Sequence, residues 1–195
     1  MNESNIQISS IVVKSVLPEQ VDILYNIIND PDNLHHQTIN DVSKLYLKKC
    51  LETQQDNHGF GYIDGDVRHH FIYKKKQVIG WVSLTTKSAL SRRYELGYTT
   101  TKKHRGKGYT YKALRHFIAT LFGVDNINRL EAIPYADNKK SINLLVRLGF
   151  KHEGLLRKHN YHDGEYVDCY MYSMLKEDLE ETIASDDDIK MSWNK

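Results

Sequence analysis

Residues 94–135 limit the fold most strongly. "YELGYTT" alternates as a strand does, and "HRGKGY" turns on two glycines. Ala113, Leu114, Phe117, Ile118, Leu121 and Phe122 then recur on one helix face, with Gly123 as the expected stop, before "RLEAIPY" returns as a strand. A strand, a helix and a second strand in this order make a crossover, which pairs the two strands in parallel with a right-handed connection. The remaining strands are joined by short turns and pair antiparallel. The expected fold class is α/β (α+β): a mixed, mostly antiparallel sheet of six or seven strands with one parallel crossover pair and helices on both faces.

The rest of the chain fits that frame. Residues 8–14 read as a first strand. Val21, Leu24, Tyr25 and Ile28 follow at helical spacing behind Pro18, which suits a first helical turn. "DPDN" ends this helix and opens a polar loop over residues 30–40. A second helix is expected from Asp41 to about Thr53, with Val42, Leu45, Tyr46 and Cys50 as its apolar stripe. Residues 54–67 read as a loop. "RHHFIYKKKQVIGWVSL" reads as a hairpin of strands 68–73 and 78–85 around a basic turn. Further on, Asp137 or Asn138 caps a helix whose Ile142, Leu145 and Leu148 face inward and which Gly149 stops. "NYHDGEY" carries an Asp-Gly turn into the last strand. An acidic helix then begins, and the last ten or so residues are expected to be mobile. One domain is expected over residues 1–182, with a tail over residues 183–195.

Composition excludes several function classes. A net charge of +2 exerts no general pull on nucleic acid. The basic turn has three lysines but no interleaved aromatic platform, so it reads as a solvated turn and no nucleic-acid partner is expected. No stretch approaches the roughly 20 apolar residues of a membrane span, and the first apolar run, residues 11–13, is too short for a secretory leader. Cys50 and Cys169 lie far apart, so no disulfide framework is expected and the cytoplasm is the default compartment. The ten histidines show no helical pair with metal-ligand spacing, and no metal is expected.

The glycine motif points to an anion. A helix N-terminus offers free backbone N–H groups and partial positive charge, and glycines let a phosphate approach closely. Arg105 and Lys107 add charge. The stretch lacks P-loop spacing, and Tyr111 stands where a dinucleotide fingerprint has its third glycine. Taken alone, it could be no more than a tight turn. Its neighbours carry a resemblance, however. Arg105, Gly106, Lys107, Gly108, Tyr109 and Thr110 are similar to the pattern [QR]-x-x-G-x-[GA], the coenzyme A pyrophosphate loop of the GNAT N-acetyltransferases. Thr110 departs from the Gly or Ala of that pattern. "YELGYTTTKKHRGKGYTYKAL" resembles the strand-turn-helix of RimJ/RimL-type (ribosomal-protein-serine) acetyltransferases. "NKKSINLLVRLGFKHEGLLRKHNYHDGEYVDCYMYSML" resembles their C-terminal half, with N-x-x-S, L-G-F-x-x-E-G and a D-G hairpin. The similarity spans roughly residues 8–182.

The resemblance implies direct attack of an amine on the thioester of acetyl-CoA. It implies that residues 105–110 donate backbone N–H groups to the pyrophosphate, with the Lys107 ammonium as a possible addition. Backbone groups of Leu96, Gly97 and Tyr98 would pair with the pantetheine arm and polarise the carbonyl. Glu95 is the candidate to take the amine proton, directly or through water; the alternative is a carboxylate that only positions water or the ammonium. Many relatives place a tyrosine acid where this chain has Leu145. Ser141 stands where the RimL-type branch has a serine, as acid or thiol-positioning group, and Asn138 either binds the arm or orders the helix. The acceptor would be a protein N-terminal amine, a polyamine or a small amine, met by loop 30–40 and hairpin 155–168. Asp30, Asp32, Asp41, Asp163 and Glu165 are candidates to face a cationic amine, or ordinary solvated carboxylates. A non-catalytic acyl-CoA-binding module stays open as another class. The family also suggests a homodimer.

Overall fold

The structure, a computed structural model, describes residues 11–34, 42–56 and 65–185. Strand β1 (Ile11–Ser15) leads through a single 3-10 turn at Pro18–Gln20 into helices α1 (Val21–Ile28), α2 (Pro31–Leu34) and α3 (Lys44–Asp56). Strands β2 (Val67–Lys74), β3 (Gln77–Ser88) and β4 (Arg93–Thr100) follow. Helix α4 (Tyr109–Gly123), strand β5 (Arg129–Ala132) and helix α5 (Lys139–Leu148) come next. The long hairpin β6 (Lys151–His162) and β7 (Glu165–Met174) leads to helix α6 (Lys176–Ser185). The seven strands form one sheet in the order β1-β2-β3-β4-β5-β7-β6. Among the described residues, only β4 and β5 pair in parallel; the other pairs are antiparallel. This is the mixed sheet with one crossover that the pattern of elements predicts.

Two cores flank the sheet because alternate strand residues face opposite ways. Phe71 and Trp81 pack with Val21, Leu24, Ile27 and Ile28 of α1 and with Leu47 and Leu51 of α3. Their neighbours Ile72 and Val82 face the other way. There they meet Leu114, Ile118 and Leu121 of α4, Leu145 and Leu148 of α5, and Leu179 of α6.

Several local expectations need correction. Helix α3 starts at Lys44 and runs to Asp56, and its buried stripe is Leu47 and Leu51, one helical turn apart. Leu45 and Tyr46 are 79% and 54% exposed. Docking against α1 selects the face, and a helix with apolar residues on two sides does not announce which side that is. The polar loop begins with a short helix, α2, whose Asn33 is buried. Gly123 does end α4, as expected, and the left-handed turn follows at Asn126 (φ 53°). Residues 8–10, 35–41, 57–64 and 186–195, which include parts of the first strand, the acceptor loop and the tail, lie outside the described residues.

Two adjacent histidines on β2 sit on opposite faces. Trp81 donates its indole N–H to His69 Nδ1 at 3.1 Å, and the His70 ring lies 4.9 Å from that of Phe117. Burial is the main reason that their pKa values fall to about 3 and about 4; His70 adds to the effect on His69, and Arg68 to that on His70. The native state thus holds both rings neutral, whereas the unfolded chain protonates them near the ordinary value of about 6.5. Their share of stability is complete above that pH. It is lost as pH falls from 6.5 toward 4, at up to about 1.4 kcal/mol per pH unit for each ring. Urea unfolding between pH 7 and 5 is expected to show this slope, and His70→Gln is expected to flatten it. A stability that does not change over that range would contradict the assignment. The carboxylate Glu153, held at about 2 by Arg129 and Ser173, loses its contribution only in a more acid window, below about pH 4.5.

Candidate active site

The site begins where β4 and β5 part. Their register covers Arg93 with Arg129, Tyr94 with Leu130, and Glu95 with Glu131, and then ends, although β4 continues to Thr100. Beyond β5 the chain follows β7 instead. Tyr170 N–H bonds Pro134 O at 2.9 Å, Ala136 N–H bonds Asp168 O at 2.9 Å, and Tyr135 bridges to Cys169. Among the described residues, no strand therefore covers the β5-facing edge of β4 from Leu96 onward. An extended ligand rich in amides can pair with such an edge as an added strand would.

The base of this fork is clamped by charge. Glu131 is buried, and a buried carboxylate is costly unless paired. Arg129 Nε meets its Oε1 at 2.8 Å and Arg93 Nη1 at 3.3 Å. Arg129 also forks onto Glu153 of β6, which accepts from Ser173 Oγ at 2.6 Å. Sequence reading missed this network, because its members come from four strands.

Strand alternation sorts the candidate groups. Glu95, Gly97 and Thr99 share one face of β4, and Tyr94, Leu96 and Tyr98 share the other. Glu95 Oε2 lies 2.9 Å from Lys87 Nζ on β3. At Gly97 a Cβ would come within 2.4 Å of Ser83 Oγ, so the absence of a side chain here lets β3 and β4 sit together. Tyr98 crosses the fork on the opposite face, and its hydroxyl lies 2.8 Å from Ser141 Oγ. Glu95 and Ser141 thus reach the fork from opposite faces of the sheet. Sequence reading missed this contact of the Tyr98 hydroxyl, since only its backbone was singled out. Ser141 itself is held by its N–H, which Asn138 Oδ1 accepts at 3.1 Å, so Asn138 is the N-cap of α5. Leu145 is fully buried in the core.

The glycine turn follows β4. After a 3-10 turn at Lys102–His104, Gly106 and Gly108 have φ of 72° and 73°. A Cβ at either would meet nothing within 4 Å, so the need for glycine there is conformational rather than steric. Among the described residues, no side chain caps the N-terminus of α4. Arg105 turns its guanidinium back: Nε donates to Thr100 O at 2.9 Å, and Nη2 to Asn33 Oδ1 at 2.5 Å. Arg105 thereby braces the turn against β4 and α2. Asn33 also accepts from Thr99 Oγ1 at 3.0 Å and donates to Ile27 O at 2.8 Å. Lys107 Nζ donates to Lys103 O at 2.8 Å. Thr110, the departure from the family pattern, directs its hydroxyl to Thr100 Oγ1 at 2.5 Å, which accommodates it against β4. The basic hairpin turn is more than solvated: Lys74 Nζ donates to the Tyr109 hydroxyl at 2.5 Å and lowers its pKa.

Of the acidic candidates for the acceptor, Asp163 sits in the β6–β7 turn (φ 50°) and, like Glu165, is exposed. Asp30 accepts Asn33 N–H through its backbone oxygen at 2.7 Å. The side chain of Asp32 and all of Asp41 lie outside the described residues.

Known proteins share both sequence and fold with the chain. The Acetyltransferase (GNAT) domain model matches residues 13–151. The Bacillus licheniformis protein named "Uncharacterized N-acetyltransferase p20" is 31% identical over 160 residues, 81% of this chain and 88% of that protein. The ribosomal-protein-serine acetyltransferase of Escherichia coli is 26% identical over 111 residues, 57% of this chain and 62% of that one. Spermidine N-acetyltransferase from Vibrio cholerae, solved in complex with CoA and spermine, has a TM-score of 0.77 at 18% identity, over 88% of this chain and 99% of that one, a likeness of fold. A family match over most of the chain and a relative aligned along nearly its full length lead to one conclusion: the chain belongs to the GNAT acetyltransferase family and is an acyltransferase of the N-acetyltransferase kind.

Proposed function

We propose that this chain transfers the acetyl group of acetyl-CoA to a primary amine by direct attack, with a protein N-terminal amine as the foremost acceptor. The observation that carries the reading is the uncovered edge of β4 beside the uncapped N-terminus of α4. The pyrophosphate would sit on the backbone N–H groups of the turn from Arg105 to Thr110, where the helix end favours negative charge. The pantetheine arm would run along Leu96, Gly97 and Tyr98, and a backbone N–H there would stabilise the oxyanion as it forms. Glu95 takes the proton that the attacking amine must lose. The C–S bond then breaks, and Ser141 serves the departing thiolate.

The similarity to ribosomal-protein-serine acetyltransferase supports a protein N-terminus. The fold shared with spermidine N-acetyltransferase favours a polyamine as the second reading. The buried Leu145, in place of the tyrosine acid of many relatives, is the one argument for a non-catalytic acyl-CoA-binding module. A thiol-release assay with acetyl-CoA separates the three. The panel is peptides with N-terminal Ser or Ala, spermidine, and free amino acids, with mass spectrometry of the products. Release is expected with the peptides, with acetyl found on the α-amine. CoA binding without release for any amine would favour the module, and turnover of spermidine alone would favour the polyamine reading.

A further inference from the structure

We infer that Tyr98 is a positioning residue for the departing thiol, relaying a proton through Ser141 as the C–S bond breaks. The inference rests on the acetyl-transfer reading and adds a residue to it. Tyr98 lies three residues past the last β4–β5 pair, so its side chain reaches from β4 to the first turn of α5 across the fork. Its hydroxyl approaches Ser141 Oγ at 2.8 Å and Ser141 O at 3.4 Å, the shorter contact being the well-formed bond. When Tyr98 donates to Ser141 Oγ, the serine's own O–H is free to rotate toward another acceptor. The Asn138 cap holds the turn that carries Ser141, so both partners start from fixed backbone.

Chemistry favours the pair over a lone serine. An aliphatic alcohol is a weak acid, and a serine that surrendered its proton would be left as an alkoxide. Although part of Tyr98 is exposed, burial of its hydroxyl end pushes the pKa up to about 12, with the Ser141 bond acting the opposite way. The phenol therefore keeps its proton at neutral pH and is still much more acidic than serine. In the proposed step the C–S electron pair leaves with sulfur. The Ser141 proton passes to the thiolate, the Tyr98 proton passes to Ser141 Oγ, and solvent water reprotonates the phenolate after the product departs. Leu145, at the usual acid position, has no proton to give.

The test uses the full chain, with the acceptor that the amine panel identifies. Tyr98→Phe is expected to lower the single-turnover rate about tenfold or more, with KM for acetyl-CoA within about twofold of wild type. Ser141→Ala is expected to do the same, and the double variant to be no slower than the worse single one, because both act through one proton path. Calorimetric CoA binding and the thermal midpoint establish that each variant is folded. The rate against deuterium fraction is expected to bow in wild type, as two protons move together, and to straighten in Tyr98→Phe. The inference is overturned if Tyr98→Phe keeps wild-type turnover, if the two losses multiply, or if the wild-type plot is straight. These outcomes leave acetyl transfer intact, whereas a wild-type chain that acetylates no amine removes the underlying reading itself.

Discussion

Replacing Glu95 with glutamine is expected to lower the single-turnover rate about 100-fold or more, while acetyl-CoA affinity stays within about twofold. A protonated amine has no lone pair, so a group at the fork must accept its proton before or during attack. Glu95 stands at the last position of β4 that pairs with β5, beside the edge proposed to hold the thioester. Glutamine keeps the size of the side chain and an oxygen that can still accept from Lys87 Nζ, now 2.9 Å from Glu95 Oε2, so the variant removes basicity with little else. The pH dependence provides a second check. An α-amine deprotonates by itself near pH 8, so the deficit is expected to shrink as pH rises through about 8. If Glu95 only held an ammonium or a water, Glu95→Gln would raise the KM for the amine and largely spare the rate at saturation. That result would replace the base with a binding role.

Gly149→Val is expected to destabilise the fold by about 3 kcal/mol, from a left-handed penalty of about 1–2 and a similar overpacking cost. For a domain of this size such a loss lowers the melting temperature by about 6–12 °C. Gly149 ends α5 with φ of 96°, and its N–H bonds Val146 O at 3.0 Å. A Cβ there would lie 2.0 Å from Thr182 Oγ1 and 3.1 Å from Thr182 Cβ. Thr182 is not free to swing away without loss, because its hydroxyl donates to Asp178 O at 2.8 Å on a helix anchored by buried Leu179. Adding Thr182→Ala to Gly149→Val is expected to return the steric share and leave the backbone share. Ser141 sits at the other end of α5, so the folded variant should retain its turnover at low temperature. An unchanged melting temperature would show that the α5–α6 junction is slack.

The features legible in the sequence are those that few, nearby residues decide. The βαβ crossover follows from a switch of hydrophobic period, and the Asn138 cap, the Gly149 stop and the Asp-Gly turn follow from dihedral preferences of single residues. The glycine turn before α4 belongs to the same class: two positive φ angles name glycine whatever surrounds them. The face of α3 was not legible, because Leu45 and Tyr46 offer an alternative stripe that only docking on α1 rejects. Nor could spacing show that Arg105 turns back to Asn33, 72 residues away, or that Lys74 reaches Tyr109. By itself, then, the sequence determined the main strands and helices, the parallel pair and the glycine turn before α4, since local torsions and periodicity encode them. Only the tertiary structure decided where β4 and β5 part, which carboxylate is buried at the base of that fork, and that Tyr98 meets Ser141 across it. Those contacts join residues distant in the chain, and only the closing of the sheet and the packing of its helices bring them within reach.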